Sequence, residues 1–288
     1  MTPRPPLRSR VPAGIRETGR ALALRVGVAT AGRRALPDFL VIGAQRCGTT
    51  SLFRALLDHP QVRRPNFHKG VNYFDLSYEH GERWYRGHFP IRTDAEQQVF
   101  DASGYYLFHP LAPGRIVRDL PDVRVIVLVR DPVERAFSAF KHELARGFEW
   151  ETSFTTALEL EDARLDGETE RMISDPTYQS FAHRHHGYRR RGEYAVQLAP
   201  FLLGLGRERV LILESERFFD RPDEEYARVV DFLGVRPHRP ARFDRWNARP
   251  GHGLPEEARD RLRRHFERHD EHLEALLGHP PHWRSPVS

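Results

Sequence analysis

The stretch "FLVIGAQRCGTTSLFRALLDHP", residues 39–60, decides how the rest of the chain is read. Phe39 to Gly43 is a short apolar run with the character of a buried strand, and the segment from Thr49 to Asp58 reads as a helix stopped by His59-Pro60. Between them Gly43 and Gly48 keep the spacing of the phosphate-cradling pattern G-x-x-x-x-G-K-[ST]. Thr49, however, stands where that pattern asks for lysine, and an arginine, Arg46, lies inside the turn. Backbone N–H groups of a glycine-containing turn and of the following helix N-terminus attract an anion. Arg46 adds a full positive charge, and Thr49, Thr50 and Ser51 add hydroxyl donors. A plain strand–turn–helix would explain the glycines and threonines; the arginine between them selects the anion reading.

The surroundings fit one sizeable α/β domain. The chain has 288 residues, 39% of them hydrophobic and 11% aromatic, which is enough for a core and argues against disorder. Short apolar runs ("QQVFDAS", "VRVIVLV", "RVLILES") alternate with helical patterns such as Pro132–Arg146, "EYAVQLAPFLLGLG", "EEYARVVDFLGV" and "LPEEARDRLRRHFERHDEHLEALLG". That order predicts a single-domain, mostly parallel sheet flanked by helices, with the 39–60 stretch as a P-loop-like core. "GVNYFD", residues 70–75, reads as extended. No internal repeat is visible.

Charge is unevenly placed. Residues 1–37 carry eight arginines against one acid, Glu17, while the remainder is slightly acidic. Residues 1–37 are therefore read as a basic arm, either a solvated, partly disordered tail or an amphipathic helix touching an anionic membrane; the domain proper is expected at 38–288. The body lacks the basic patch of a nucleic-acid binder, so no nucleic-acid partner is expected. Cys47 is the only cysteine, which excludes an internal disulfide framework and suits a cytoplasmic setting. No run of ~18 apolar residues is present for a membrane span, and no clean apolar core precedes a small-residue cleavage site. The arm leaves open a peripheral location at the inner face of the membrane.

A second motif narrows the anion. The strand "VRVIVLVRDP" ends in Arg130, where an NTPase would place an acid for magnesium. Asp131 is one step further, before a proline. A cation at the carboxyl end of a strand suits a second phosphate better than a metal, and Ser138, two turns along the next helix, can join it. A surface arginine and a self-satisfied serine are the ordinary alternative for each residue taken singly.

"GAQRCGTTSL" together with "LVRDPVERAFSAF" resembles the PAPS-dependent sulfotransferases, above all the branch of heparan sulfate sulfotransferases and their bacterial relatives. The resemblance spans about residues 38 to 280. It implies that the first motif, Gln45, Arg46, Cys47, Gly48, Thr49, Thr50 and Ser51, holds the 5′-phosphosulfate of PAPS, and that Arg130 and Ser138, in the pattern R-x-P-x-x-R-x-x-S, hold the 3′-phosphate. "RGEYAVQL" matches a family G-x-Y-x-x-x-L segment and implies that Tyr194 lies near the nucleotide. "NARPGHGLPEEARDRL" resembles a loop closing over the 3′-phosphate and brings in Arg249 and Gly251. Arg46 occupies the place of the family's loop lysine, a charge for the bridging oxygen as the sulfonate departs. The implied activity is transfer of sulfonate from PAPS to a hydroxyl or amine, with a carbohydrate or glycoconjugate as acceptor, adenosine 3′,5′-bisphosphate as product, and no metal. A P-loop nucleotide kinase or NTPase with a degenerate loop, and a non-catalytic PAPS-binding module, are the two rivals.

The family pattern breaks at the acceptor base. Its K-E-x-x-[FY]-F segment reads here "KGVNYF": Lys69, Tyr73, Phe74 and Asp75 fit, but Gly70 replaces the glutamate and Asn72 a frequent histidine. In an extended segment His68, Gly70 and Asn72 share a face, which makes His68 the candidate base. His109 and His142 are further candidates. The cluster "HRHHGYRRRGEY", residues 183–194, imitates a metal site but lacks paired carboxylates at ligand spacing; its arginines, with Arg184 and Arg189 to Arg191, are expected to face an acidic acceptor.

Overall fold

A computed structural model describes residues 13–66, 69–241, 243 and 253–284. Five parallel strands, β1 (Phe39–Gly43), β2 (Val62–Arg63), β3 (Gln98–Ala102), β4 (Arg124–Val129) and β5 (Val210–Glu214), form one sheet in the order β2-β3-β1-β4-β5. The helices are α1 (Ala13–Ala29), α2 (Thr49–Asp58), α3 (Tyr73–Leu76), α4 (Gly81–Gly87), α5 (Ala112–Asp119) and α6 (Pro132–Ala145). Four short ones follow, α7 (Phe154–Glu159), α8 (Glu161–Leu165), α9 (Glu168–Ser174) and α10 (Phe181–His185), then α11 (Tyr194–Leu205), α12 (Ser215–Asp220), α13 (Pro222–Leu233) and α14 (Glu256–Leu277).

β1 is buried along its whole length, as a central strand covered on both faces must be. The core it anchors includes Phe39, Ile42, Phe100, Val127, Leu198, Phe201 and Leu213. A second cluster, Val133, Phe137, Phe140, Phe154, Leu158, Tyr188, Leu262 and Phe266, packs α6 against α7 and α14. From β1 the chain lays β2 and β3 on one side and then crosses to β4 on the other. The carboxyl ends of β1 and β4 therefore flank a topological switch point, the place where such sheets bind ligands.

One local reading is corrected. Residues 73–76 form a helical turn instead of extended chain, because Asn72 takes a left-handed conformation (φ 56°) and turns the backbone into α3. The shared face assumed for residues 68, 70 and 72 therefore does not extend to Asn72. At the other end, residues 13–29 of the basic arm are helical, and the end of α1 packs against α4. A Cβ on Gly27 would sit 2.2 Å from the carbonyl oxygen of Gly87, so only glycine permits this crossing. Arg34 then donates to the carbonyl of Phe89, and Arg86 Nη1 donates to the carbonyl of Arg34 at 3.0 Å. Among the described residues no helix is long and apolar enough to cross a membrane.

Candidate active site

The loop between β1 and α2 has a geometry that suits an anion. Gly48 precedes α2 with φ 88°, a conformation that favours glycine, and leaves the first N–H groups of α2 without a side-chain cap. Arg46 is also left-handed (φ 72°), and its Nε donates to Ser138 Oγ at 3.0 Å. That contact joins two motifs separated by 92 positions in the chain. Arg130 closes the group: its Nη1 points at the carbonyl of Arg46 at 3.4 Å. Arg46, Arg130 and Ser138 thus lie together at the carboxyl edge of β1 and β4.

Lys69 adds a second cation. Its Nζ lies 3.1 Å from both Thr49 Oγ1 and Thr50 Oγ1, at the N-terminus of α2. Burial lowers its pKa to about 8, with no carboxylate among the described residues to offset the cost. A partly buried ammonium without a counter-charge is the arrangement an anionic ligand relieves. In an extended segment Lys69 would alternate away from His68 and Gly70; the structure sets it beside the loop.

Other residues of the motifs stand behind this surface. Cys47 is fully buried, its Sγ 3.6 Å from the hydroxyl of Tyr194, and burial pushes its thiol up to about 11. Tyr194, 1% exposed, donates to the carbonyl of Arg130 at 2.8 Å, so it holds the end of β4 in place. Ser51 is likewise buried. Gln45 donates to Glu143 Oε1 at 3.0 Å and accepts from Arg191, so its side chain ties the loop to α6 and to the 183–194 segment. Arg135, the middle arginine of R-x-P-x-x-R-x-x-S, is 0% exposed and donates to the carbonyl of Tyr188; it is part of the packing beneath α6. Asp131 caps α6 by accepting from Val133 N (2.9 Å) and Glu134 N (3.4 Å), which occupies the only acid directly after β4.

On the acceptor side, Gly70 is a packing requirement. A Cβ there would lie 2.2 Å from the carbonyl oxygen of Ala102, at the end of β3. No side chain, a glutamate included, fits this backbone unchanged. Close by, Asp75 accepts from Ser103 Oγ at 2.8 Å, and burial pushes its carboxyl up to about 7. A Cβ on Gly104, next to Ser103, would come within 3.7 Å of the backbone of Gln45, so the Asp75–Ser103 pair lies on the side of the sheet end that faces this loop. His109 is buried, accepts from Leu111 N through Nδ1, and is pushed down to about 3 by burial, so it does not serve as an exposed base. His68, Arg249 and Gly251 lie outside the described residues.

The 183–194 cluster is largely engaged internally. His183 Nδ1 pairs with the hydroxyl of Tyr105 (2.9 Å), His185 Nδ1 with Glu143 Oε2 (2.9 Å), and His186 Nε2 with the carbonyl of Phe148 (3.0 Å). Arg189 and Arg190 pair with Asp162, and Arg191 is buried over the rings of Tyr105 and Phe108. The expected acidic-substrate surface is corrected at Arg191, which is buried; Arg189 and Arg190 share Asp162, a pairing hidden from a sequence in which Asp162 stands far away, and Arg190 stays about half exposed.

Comparison with known proteins bears on this geometry. The family model described as "Sulfotransferase domain" matches residues 36–249. Heparan sulfate glucosamine 3-O-sulfotransferase 6 of Mus musculus is 30% identical over 213 residues, covering 71% of this chain and 54% of the relative. Heparan sulfate glucosamine 3-O-sulfotransferase 3B1 of Homo sapiens is 30% identical over 205 residues, covering 71% and 48%. The chain thus spans about half the length of these curated relatives. A sulfotransferase from Alicyclobacillus acidocaldarius superposes with a TM-score of 0.68 at 28% identity, covering 85% of this chain and 97% of that one. With the loop, the strand-end arginine and the sheet order all in agreement, this chain belongs to the sulfotransferase domain family.

Proposed function

We propose that the protein transfers a sulfonate group from PAPS to a hydroxyl or amine of a carbohydrate or glycoconjugate, releasing adenosine 3′,5′-bisphosphate. The observation that carries this reading is the bond between Arg46 Nε and Ser138 Oγ, which draws a phosphate loop and a strand-end cation site into one patch. Two anion sites on one patch suit a nucleotide bearing phosphate on both sides of its ribose. The capping role of Asp131 supports this reading over a magnesium-dependent NTPase.

In the proposed reaction the acceptor heteroatom bonds to sulfur as the bond from sulfur to the bridging phosphate oxygen breaks. Negative charge then grows on that oxygen. Arg46, the N–H groups at the start of α2 and the Lys69 ammonium are positioned to stabilise it. Arginine stays protonated, so Arg46 acts as charge and donor, not as an acid. Arg130 and Ser138 take the 3′-phosphate, with Tyr194 holding Arg130 from behind. Arg249 and Gly251 are assigned to the same phosphate by resemblance.

The acceptor's proton passes to His68. Asp75 is the second candidate, favoured by its place near the loop and a carboxyl held near neutrality. A loss of roughly 10²–10⁴ in kcat is the usual cost of removing a general base. His68→Ala is expected to show it; the same loss in Asp75→Asn with His68→Ala active assigns the proton to the carboxylate. The acceptor class rests on the heparan sulfate relatives. A screen of carbohydrate acceptors with labelled PAPS and mass spectrometric detection tests the whole reading: sulfonated product supports it, and tight PAPS binding without turnover on any acceptor favours a binding module.

A further inference from the structure

Away from the loop, two imidazoles and a carboxylate converge where the start of α11 meets α14. His265 and His269 lie four residues apart on α14 and so share one face of the helix. Glu193 immediately precedes α11. His265 Nε2 is 3.0 Å and His269 Nε2 3.9 Å from the same Glu193 Oε1. The two rings lie 4.9 Å apart. One donor atom from each side chain falls within 4.8 Å of the other two, and no other such trio occurs among the described residues.

A hydrogen bond accounts for the 3.0 Å contact alone. The second imidazole is beyond hydrogen-bonding distance from the carboxylate, and its Nδ1 is buried without a partner. Zinc bonds of about 2.0–2.2 Å in a tetrahedron set ligand atoms about 3.3–3.5 Å apart. The observed 3.0 and 3.9 Å bracket that spacing, and the donor atoms all lie within 4.8 Å of one another. The three side chains keep exposures of 28, 23 and 22%, which admits water as a fourth ligand.

We propose that Glu193, His265 and His269 form a binding site for a transition-metal dication, Zn²⁺ by its nitrogen and oxygen donors, with water completing the shell. Arg189 and Arg268 stand near enough to oppose the cation, so its affinity is moderate. Among the described contacts none of the three side chains touches the anion loop. The ion fastens α14 to the residue beside Tyr194, and Tyr194 in turn holds Arg130. Its role is to brace the wall of the anion site, apart from group transfer.

The test uses the full chain, freed of metal with a chelator that is then removed, and no nucleotide. Titration with Co²⁺ is expected to give one bound ion per chain with a visible d–d spectrum of nitrogen and oxygen coordination, displaced by Zn²⁺. Saturating Zn²⁺ should also raise Tm, since it binds only the folded chain's preformed site. His269→Gln and the nearly isosteric Glu193→Gln should each weaken Co²⁺ binding at least tenfold, with folding checked by circular dichroism. His80→Gln, at an exposed histidine elsewhere, should leave it unchanged. Only millimolar binding, or tight binding that Glu193→Gln leaves intact, overturns the proposal. Neither result touches the PAPS assignment, which is read from nucleotide binding and turnover.

Discussion

The proposed donor and acceptor sides of the site differ in how they are made. On the donor side the anion loop, Arg130 and Ser138 are placed by the ends of β1 and β4, and they agree with the family pattern position by position, Arg46 for lysine excepted. On the acceptor side the Lys69–Asp75 segment follows the pattern only until a backbone contact forbids it, at Gly70 against Ala102. The proposed donor site is set by the ends of sheet strands, where neighbouring strands fix the backbone. The proposed acceptor site lies on connecting segments, where one close approach leaves no room for a side chain.

If the donor side is fixed as described, its largest effect should come from Arg46. Arg46→Ala is expected to lower kcat by about 10²–10³, the usual cost of one donor to a developing anion, while affinity for adenosine 3′,5′-bisphosphate falls much less. An unchanged kcat with a raised KM would reduce Arg46 to a binding residue and break the comparison. Next in size is Arg130→Ala. Loss of a charged hydrogen bond costs ~1.5–3 kcal/mol, so adenosine 3′,5′-bisphosphate should bind about tenfold or more weakly. AMP, lacking the 3′-phosphate, should bind as before; an equal loss for AMP would place Arg130 elsewhere on the nucleotide.

The acceptor side is sharpened by Gly70. Gly70→Ala should destabilise the fold by ~1–3 kcal/mol, as an overpacked position does, seen as a lower urea midpoint at unchanged slope. Gly70→Glu should fare worse and restore no activity. A Gly70→Glu variant of full stability would mean that the segment shifts freely and that its departure from the family is incidental. The smallest effect expected is a pH dependence across the boundary between the two sides. Lys69 has its pKa lowered to about 8 by burial, so it is cationic below that pH and loses its charge as pH rises through it. Binding of adenosine 3′,5′-bisphosphate should therefore weaken a few-fold between about pH 7 and 9, and Lys69→Met should flatten the slope. Calorimetry at several pH values decides; a profile that Lys69→Met leaves unchanged assigns the titration to another group.

Much of this was legible in the sequence, for reasons that differ by region. β1 and β4 are short apolar runs bounded by glycine and proline, and their burial needs no partner to be inferred. The first loop and Arg130 carry their chemistry in residue type and spacing. Other features depend on long-range contact. The helical turn at Tyr73–Leu76 hides because Tyr73 and Phe74 are good strand residues, and only the left-handed Asn72 redirects them. β2 is two residues long and shows no periodicity. Arg191 reads as a substrate-facing charge and nothing in the sequence singles out Arg135 as a core residue, yet both are buried, Arg135 on the inner face of α6 and Arg191 over two aromatic rings. Glu193 joins His265 and His269 across 72 or more positions, beyond any motif-sized window.

The crossing of α1 over α4 has a practical side. A chain trimmed to begin at residue 38 would look complete from its motifs, since every nucleotide-binding candidate lies beyond that point. Yet it would lose Ala31 and Ala35, which are buried at 2% and 7% exposure, and the Arg34 contact that holds the carbonyl of Phe89. Gly87 and the wall under Tyr85 and Phe89 would then face water. Such a trimmed chain is the version of this protein to avoid in expression trials: its chemistry would be whole, and its solubility would be what fails.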